Sequence, residues 1–369
     1  MKDVRPRLRS FSSPDNGSKW FDRHGGLKLS DKRIDLNQLH GLLVKALCAH
    51  GTKVQNAEPV ADALVAAEAD GLPGHGLSRL PSYCAQVASG KVDGHAVPEV
   101  SQVADAVMVV DAKGGFAYPA LGLAIEKLLA LTPKTGVALA AITRSHHCGA
   151  AGYHVEKLAR QGLVALMFAN TPKAIAPWGG TKAVFGTNPI AFAAPRKVKK
   201  PLVIDLSLSK VARGKILVAS QQGNPIPEGW ALDDRGKPTN NPDAALSGTM
   251  LPIGDAKGTA LAFMVEVLAA ALTSSMFGFE ASSFFSAEGS PPGVGQLLIT
   301  IAPGPVSNGQ FQSRLEDLIE EILHQDGDVR LPGDRRLELR EKAHLNGISL
   351  TDKQYQEIVS LSRRKKVNQ

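Results

Sequence analysis

Cysteine is scarce: 369 residues contain Cys48, Cys84 and Cys148, and no two of them form a CxxC pair. An odd number of widely spaced thiols argues against a disulfide-stapled scaffold. With no apolar signal segment near Met1, the expected setting is a reducing cytoplasm. Aromatic residues are also few, at 5%, and are not interleaved with the basic runs. Nucleic-acid surfaces combine cations with stacking rings, so that class is disfavoured. Every apolar stretch meets a charge or a glycine before 18 residues, which leaves no candidate membrane span. Two nucleotide fingerprints are missing as well. GxxxxGK[ST] does not occur, and neither does GxGxxG; Gly293-Val294-Gly295 precedes a strand instead of following one. His146-His147 has no HExxH pattern and no Cys pair nearby, so no metal is expected.

What is abundant is turn formers and apolar residues. The chain is 43% hydrophobic and carries Gly 36 and Pro 23, enough for one large core or two domains broken by many turns. The formal net charge is +7, and the excess is local. Lys2, Arg5, Arg7 and Arg9 open the chain, Arg363 to Lys366 close it, and Arg196, Lys197, Lys199 and Lys200 lie between. The middle cluster reads either as a seat for a small anion or as a solvated loop. Residues 1–30 are polar and aperiodic and are expected to form a disordered arm.

Apolar spacing predicts helices over Leu36–His50 and Asn56–Asp70. Gly71-Leu72-Pro73-Gly74 stops the second, and a third opens at His75 and carries Leu80–Ser89. Strands are expected within Val100–Asp111 and over Val137–Ile142, Leu163–Phe168, Pro189–Ala194, Leu202–Leu208 and Gln296–Ile301. Further helices are expected over Pro119–Leu131, Tyr153–Gln161, Ala260–Leu272, Gln310–His324 and Thr351–Leu361. Gln221–Ala244 reads as an irregular surface segment with no core role, Ser282–Pro292 as a flexible loop bearing Phe284 and Phe285, and Arg330–Arg336 as a compact cationic loop. The fold class is α/β.

Chemistry concentrates at the breaks. His75 and Arg79 are four apart and share a face if that segment is helical. A guanidinium grips a carboxylate in two places, and an imidazole exchanges a proton near neutral pH. The alternative is a capping histidine and a surface arginine. Thr143 to Gly152 joins a strand to a helix with small residues, an arrangement that lets a helix N-terminus approach an anion. Asn170, Thr187, Asn188, Asp205, Ser207, Ser209, Lys210, Arg213 and Lys215 gather past strand ends, where α/β proteins place ligands; the alternative is turn residues and solvated charge. Asp205 reads as a partner for a ribose hydroxyl or as a structural acceptor. Lys257, between Gly254 and Gly258 at a helix start, reads as an anion seat or a solvated lysine.

Six segments in this order, HGLSR, SHHCGAAGYH, APWGGTKAVFGTNPIAFAAP, DLSLSKVARGK, GDAKG and RLPGDRR, resemble the malate/L-lactate dehydrogenase superfamily. Within it the chain most resembles the Δ1-pyrroline-2-carboxylate/Δ1-piperideine-2-carboxylate reductases, the cyclic ketimine reductases. The resemblance runs from Leu36 to Arg336 and beyond. It implies the superfamily's own fold, with a non-Rossmann NADPH-binding α/β domain over residues 99–308 and a helical substrate and dimer domain over residues 31–98 and 309–369. It also implies NADPH as hydride donor, cyclic imino acids as substrates, L-proline and L-pipecolate as products, and a homodimer.

Residue by residue, the resemblance makes His75 the proton donor, with Lys215 as the second catalytic candidate. Arg79, Thr187 and Arg213 would bind substrate. His147, Cys148, Gly149, Ala150, Ala151, Asp205, Leu206 and Ser207 would line the cofactor. Ala256, Lys257 and the run Arg330, Leu331, Pro332, Gly333, Asp334, Arg335 and Arg336 would hold its phosphates. Two positions depart from the pattern: Gly74 stands where members often carry serine, and Lys215 where piperideine reductases can carry aspartate. The same histidine and arginine would serve a 2-hydroxy acid dehydrogenase of the malate, lactate or ureidoglycolate type, the first alternative. A non-catalytic nucleotide-binding homologue is the second.

Overall fold

A seven-stranded mixed sheet forms the centre of the larger body. Its strands run, from one edge, Glu99–Ala104, Val107–Asp111, Val137–Ser145, Val294–Ile301, Val164–Ala169, Ile190–Ala194 and Leu202–Leu206. Val107–Asp111 and Val137–Ser145 pair in parallel, and the other neighbours are antiparallel. A doubly wound dinucleotide-binding sheet is mostly parallel, so the missing GxGxxG and the α/β architecture outside that class agree. The structure is a computed structural model describing residues 32–363; the arm expected over residues 1–30 lies outside them.

The inner strand Val294–Ile301 is covered on both faces, which is why it reads as a nearly continuous apolar run. Helices Ala117–Thr135 and Ala151–Arg160 cover one face through Leu121, Leu128, Leu158, Met167 and Leu298. On the other face Ile175, Phe185, Val265, Ala269 and Leu297 pack together. A second core gathers Leu39, Leu43, Leu64, Leu80, Tyr83 and Ile358 from helices Leu36–Ala49, Val54–Ala69, Leu80–Ala88 and Asp352–Ser362. There Lys32–Ile34 pairs antiparallel with Ile348–Leu350. Thr351 closes a capping box with Gln354, so the last helix starts where its sequence signal places it. No helix of the described residues is long and apolar enough to cross a membrane.

Three segments differ from their sequence reading. Residues 211–250 are ordered. Helices Arg213–Gln222 and Pro242–Ser247 and the short strands Ala231–Leu232, Pro238–Thr239 and Thr249–Met250 enclose their own core of Val211, Ile216, Ile226, Ala245 and Met250. Strands this short carry no readable period. The cationic run at 330–336 is half helix. Gly333, at φ +93°, turns the chain into Asp334–Asn346. That helix buries no residue fully, so it lacks the apolar stripe that marks a helix in sequence. Finally, His75 and Arg79 share no α-helix. They lie in two consecutive 3-10 turns, Pro73–His75 and Leu77–Arg79, and the α-helix begins at Leu80. Pro73, Gly74, Gly76 and Pro81 leave too little helix propensity to run through.

Candidate active site

The two turns are tied to the helix before them. Glu68 Oε1 accepts from the Leu77 backbone N–H at 2.6 Å, and a Cβ at Gly76 would collide with that carboxyl group. Arg79 folds back so that Nε donates to the Gly74 carbonyl at 2.7 Å. Its guanidinium carbon lies 4.4 Å from the centre of the Phe285 ring. Nη1 is enclosed and has no hydrogen-bond partner. An arginine fixed at one nitrogen and across its flat face, with another nitrogen unsatisfied, is preset for an acceptor anion.

His75 stacks on His147, with ring centres 5.5 Å apart and planes 12° from parallel. His147 Nδ1 is 2.6 Å from the Tyr83 hydroxyl, which is 3.0 Å from that of Tyr118. His146 Nε2 meets Gln86 Oε1 at 2.8 Å, and Gln86 Nε2 donates to the Phe284 carbonyl at 2.7 Å. The Phe284 ring packs on both His146 and His147. Lys91 pins the same segment by donating to the carbonyls of Ser283, Ser286 and Glu288. Burial, helped by the positive charge of Arg79, lowers the His75 pKa to about 4. Burial also lowers His146 to about 3 and His147 well below the usual range, with Lys91 and Arg79 adding at His146 and Arg79 at His147. All three imidazoles are neutral at neutral pH.

Beside them the strand Val137–Ser145 delivers the chain to helix Ala151–Arg160 through 146–150. Gly149 is at φ +70°, and a Cβ there would stand 2.7 Å from the Tyr118 hydroxyl. The Gly152 N–H donates to Asp205 Oδ2 at 2.7 Å. A Cβ at Gly152 would stand 2.9 Å from Arg336 Nη1. Arg336 Nε is enclosed without a hydrogen bond, and lies 3.6 Å from Asp70 Oδ2. The Asp205 carboxylate therefore holds a first-turn N–H of this helix, and the close-approach glycine with Arg336 beside it is the cradle where a cofactor phosphate would have to be seated. Gly333 joins it, since a Cβ there would meet the Val203 carbonyl at 3.1 Å. Cys148 lies within the loop, but burial pushes its thiol to about 12, so it is no nucleophile.

The sequence pattern of the malate/L-lactate dehydrogenase family matches residues 34–359. The chain belongs to that family. It is 53% identical over 311 residues to (2R)-3-sulfolactate dehydrogenase (NADP(+)) of Chromohalobacter salexigens, covering 84% of this chain and 92% of that one. It is 41% identical over 334 residues to the Δ1-pyrroline-2-carboxylate/Δ1-piperideine-2-carboxylate reductase of Pseudomonas putida, covering 89% and 96%. The crystal structure of Δ1-piperideine-2-carboxylate reductase from Pseudomonas syringae pathovar tomato superposes with a TM-score of 0.84 at 40% identity, over 89% of this chain and 99% of that one.

Within this member of the family, the predicted residues fall into three groups. His75 and His147 stack directly with the Arg79 charge acting on both, and Cys148, Gly149, Ala150, Ala151, Asp205, Gly333 and Arg336 gather at the cradle. A second group approaches along the backbone. Leu208 N–H donates to the Thr187 carbonyl, and Ile253 N–H to the Leu208 carbonyl, both at 2.8 Å. This brings Ser207 and the helix start at Ala256 and Lys257 to the same strand end as Asp205 and Leu206. The Ser207 and Ser209 hydroxyls lie 2.7 Å apart. Asp334 Oδ2 accepts from Leu331 N–H at 3.0 Å, shaping the Leu331-Pro332-Gly333 turn.

The third group stands apart. Lys215 and Arg330 are exposed, and among the described residues no hydrogen bond or ion pair joins Lys215 to His75. Arg213 donates to the Leu246 carbonyl at 2.7 Å and holds the small core at 211–250 together. Arg335 is exposed in the first turn of Asp334–Asn346. Asn170 and Asn188 are structural: both amides donate to Glu266, at 3.3 and 2.9 Å. Arg196 and Lys200 pair with Glu316 and Glu341 at 2.6 and 2.7 Å, so two of the four cations of that cluster serve internal ion pairs, while Lys197 and Lys199 are exposed. Sequence reasoning missed Tyr83, Tyr118, Gln86 and Lys91. Each is one polar residue on an otherwise apolar or irregular segment, and only the phenylalanine pair at 284–285 left a visible signal.

Proposed function

We propose that this chain is an NADP-dependent 2-hydroxy acid dehydrogenase whose substrate carries a second anionic group, as 3-sulfolactate does. The observation that carries the reading is Arg79 Nη1, enclosed and unpartnered in the turn that follows His75. A carboxylate on that nitrogen fixes the adjacent carbon near the imidazole. Among the described residues no carboxylate bonds to either His75 or Arg79 side chain, and the charge that depresses His75 is the Arg79 cation. An uncharged carbonyl suits such surroundings. The likeness to the sulfolactate dehydrogenase supports the same choice, as does Lys215 in the sequence pattern, where piperideine reductases can carry aspartate.

Bound NADPH would supply the hydride to the carbon next to the carboxylate. The chain's residues do the rest. Arg79 binds and orients the carboxylate, and Thr187 is a candidate second contact. His75 takes the hydroxyl proton on oxidation and returns it on reduction. A carboxylate on Arg79 cancels one of the two causes that depress His75, so substrate binding moves the imidazole toward its working range. The Gly149–Gly152 cradle with Arg336 fits a dinucleotide phosphate, and Lys257, Arg330 and Arg335 are candidates for the 2′-phosphate. The apolar side chains Leu261, Phe263, Met264 and Val267, all exposed on one helix and its continuation, support a homodimer built on that face.

Cyclic ketimine reduction is the second reading, favoured by the superposition on the piperideine reductase. The test is NADPH oxidation with 3-sulfopyruvate, oxaloacetate, pyruvate and Δ1-piperideine-2-carboxylate side by side. The expected result is a kcat/KM for sulfopyruvate at least about tenfold above that for pyruvate. Fastest turnover on the imine transfers the chain to the second reading. NADPH binding without turnover on any of the four favours the non-catalytic homologue.

A further inference from the structure

Beside His75 three buried histidines, His146, His147 and His154, make ring hydrogen bonds, and those bonds bear on where each proton sits. A neutral imidazole has one donor nitrogen and one acceptor nitrogen. Gln86 gives its amide N–H to the Phe284 carbonyl, so its oxygen faces His146, and His146 donates from Nε2. His154 Nε2 faces the Cys148 carbonyl at 2.8 Å and donates from the same position. His147 differs, because its Nδ1 faces a hydroxyl, which can give or take.

The second tyrosine decides. Tyr118 bonds to Tyr83 and makes no other side-chain hydrogen bond in the described chain, and the two residues are 3% and 0% exposed. Suppose His147 donated from Nδ1 to Tyr83. The Tyr83 proton would pass to Tyr118, and the Tyr118 proton would have no acceptor. In the reverse order Tyr118 donates to Tyr83, Tyr83 donates to Nδ1, and no buried O–H is orphaned. A buried unsatisfied donor is the more costly outcome, so the reverse order prevails.

We propose that Tyr83, backed by Tyr118, is a positioning residue that holds His147 as a neutral imidazole protonated at Nε2, a fixed donor beside His75 for an acceptor oxygen of the bound reactants. His147 Nε2 makes no hydrogen bond in the described chain, so it is the nitrogen left to meet a carbonyl or carboxamide oxygen. Its near-parallel stacking on His75, with ring centres 5.5 Å apart, sets that donor beside the proposed proton carrier. The kinetic part of the test rests on the dehydrogenase reading; the spectroscopic part stands without it.

The experiment is ring 15N NMR on histidine-labelled full-length protein, with the His147 signals assigned through His147→Gln. In the parent protein at pH 7, His147 is expected to show unprotonated Nδ1 and protonated Nε2. In Tyr83→Phe, Nδ1 loses its donor, a protonated Nδ1 form appears, and kcat falls about five- to a hundredfold with a smaller change in substrate KM. In Tyr118→Phe, Tyr83 keeps its acceptor and the parent signature persists. A protonated Nδ1 in the parent overturns the proposal, and needs no variant. So does a tautomer shift in Tyr118→Phe, or a Tyr83→Phe enzyme with unchanged kcat. A parent protein with the expected 15N pattern and no turnover leaves the positioning intact and removes the dehydrogenase reading instead.

Discussion

Replacing Arg340 with methionine should cost this protein more than any exposed cation would. Arg340 is 13% exposed and serves two buried carboxylates at once. Nε and Nη2 donate to Asp70 at 2.6 and 2.7 Å, and Nη1 and Nη2 donate to Glu156 at 2.7 and 2.8 Å. Removing one partner of a buried pair costs about 3–5 kcal/mol, because the other is left charged and unpaired. Here two are left. Arg160 shields Glu156 in part, and Arg336 lies 3.6 Å from Asp70, so the expectation stays within that range. Burial works against the Glu156 carboxylate, but the hydrogen bonds from Arg340 and Arg160 outweigh it and hold its pKa at about 2, against an ordinary 4.5. A depressed carboxylate contributes stability that is present above 4.5 and is lost as pH falls toward 2. The difference between parent and variant should therefore be largest at pH 7 and narrow below pH 4.5. Urea unfolding at pH 7 and pH 4 measures both, read from midpoints at constant m. Combining Arg340→Met with Glu156→Gln should recover part of the loss. A difference under about 1 kcal/mol at pH 7, or one that widens in acid, refutes the account.

His146 and His154, held by burial at about 3 and about 4 against an ordinary 6.5, take up protons in the unfolded chain before the folded one. Stability must then fall as pH drops below 6.5, by about 2 kcal/mol for each at pH 5, and a Tm that stays flat from pH 7 to pH 5 in calorimetry contradicts this. Lys91→Met strips three carbonyls of their shared donor, so amide exchange over residues 283–288 should accelerate and substrate KM should rise as Phe285 leaves Arg79; unaltered exchange there denies Lys91 its anchoring role. Arg79→Gln should weaken substrate binding by about 2–5 kcal/mol with little change in Tm, and an unchanged substrate Kd would remove Arg79 from the carboxylate site.

The legible parts of this molecule are those with long periods or dense motifs. Leu39, Leu43 and Leu47 mark their helix, and the apolar run ending at Ile301 marks the inner strand, because burial there leaves little choice of residue. His75, Arg79 and the 145–152 loop were visible because glycines and prolines isolate polar residues between two apolar segments. Their local conformation was not visible. The i, i+4 spacing of His75 and Arg79 suggested one helical face, yet two 3-10 turns bring the residues together instead. Helix Asp334–Asn346 was invisible for a different reason. It is held by ion pairs to Asp70 and Glu156, partners far away in sequence, and pairwise charge contacts leave no period. Tyr83 was hidden too: on a buried face an aromatic residue reads as packing, and only the neighbouring Tyr118 and His147 give its hydroxyl a role.

The same ion pairs connect stability to the site. Asp70 ends the helix that leads into the His75 turns, and Glu156 lies on the helix whose first turn is the proposed phosphate cradle. Arg340 grips both. Arg336 is one turn earlier on the same helix and therefore on the same face, which carries it to Gly152 and Asp205. One helix thus locks the His75 turns to the 146–152 loop with one arginine and presents a cation to that loop with the next. A surface loop bearing the same two arginines would hold neither distance, because a cation on a mobile segment loses in ordering entropy what it gains in charge contact. This accounts for a helix without a buried residue in a chain otherwise organised by apolar cores: its position is set by ion pairs to the two helices it joins.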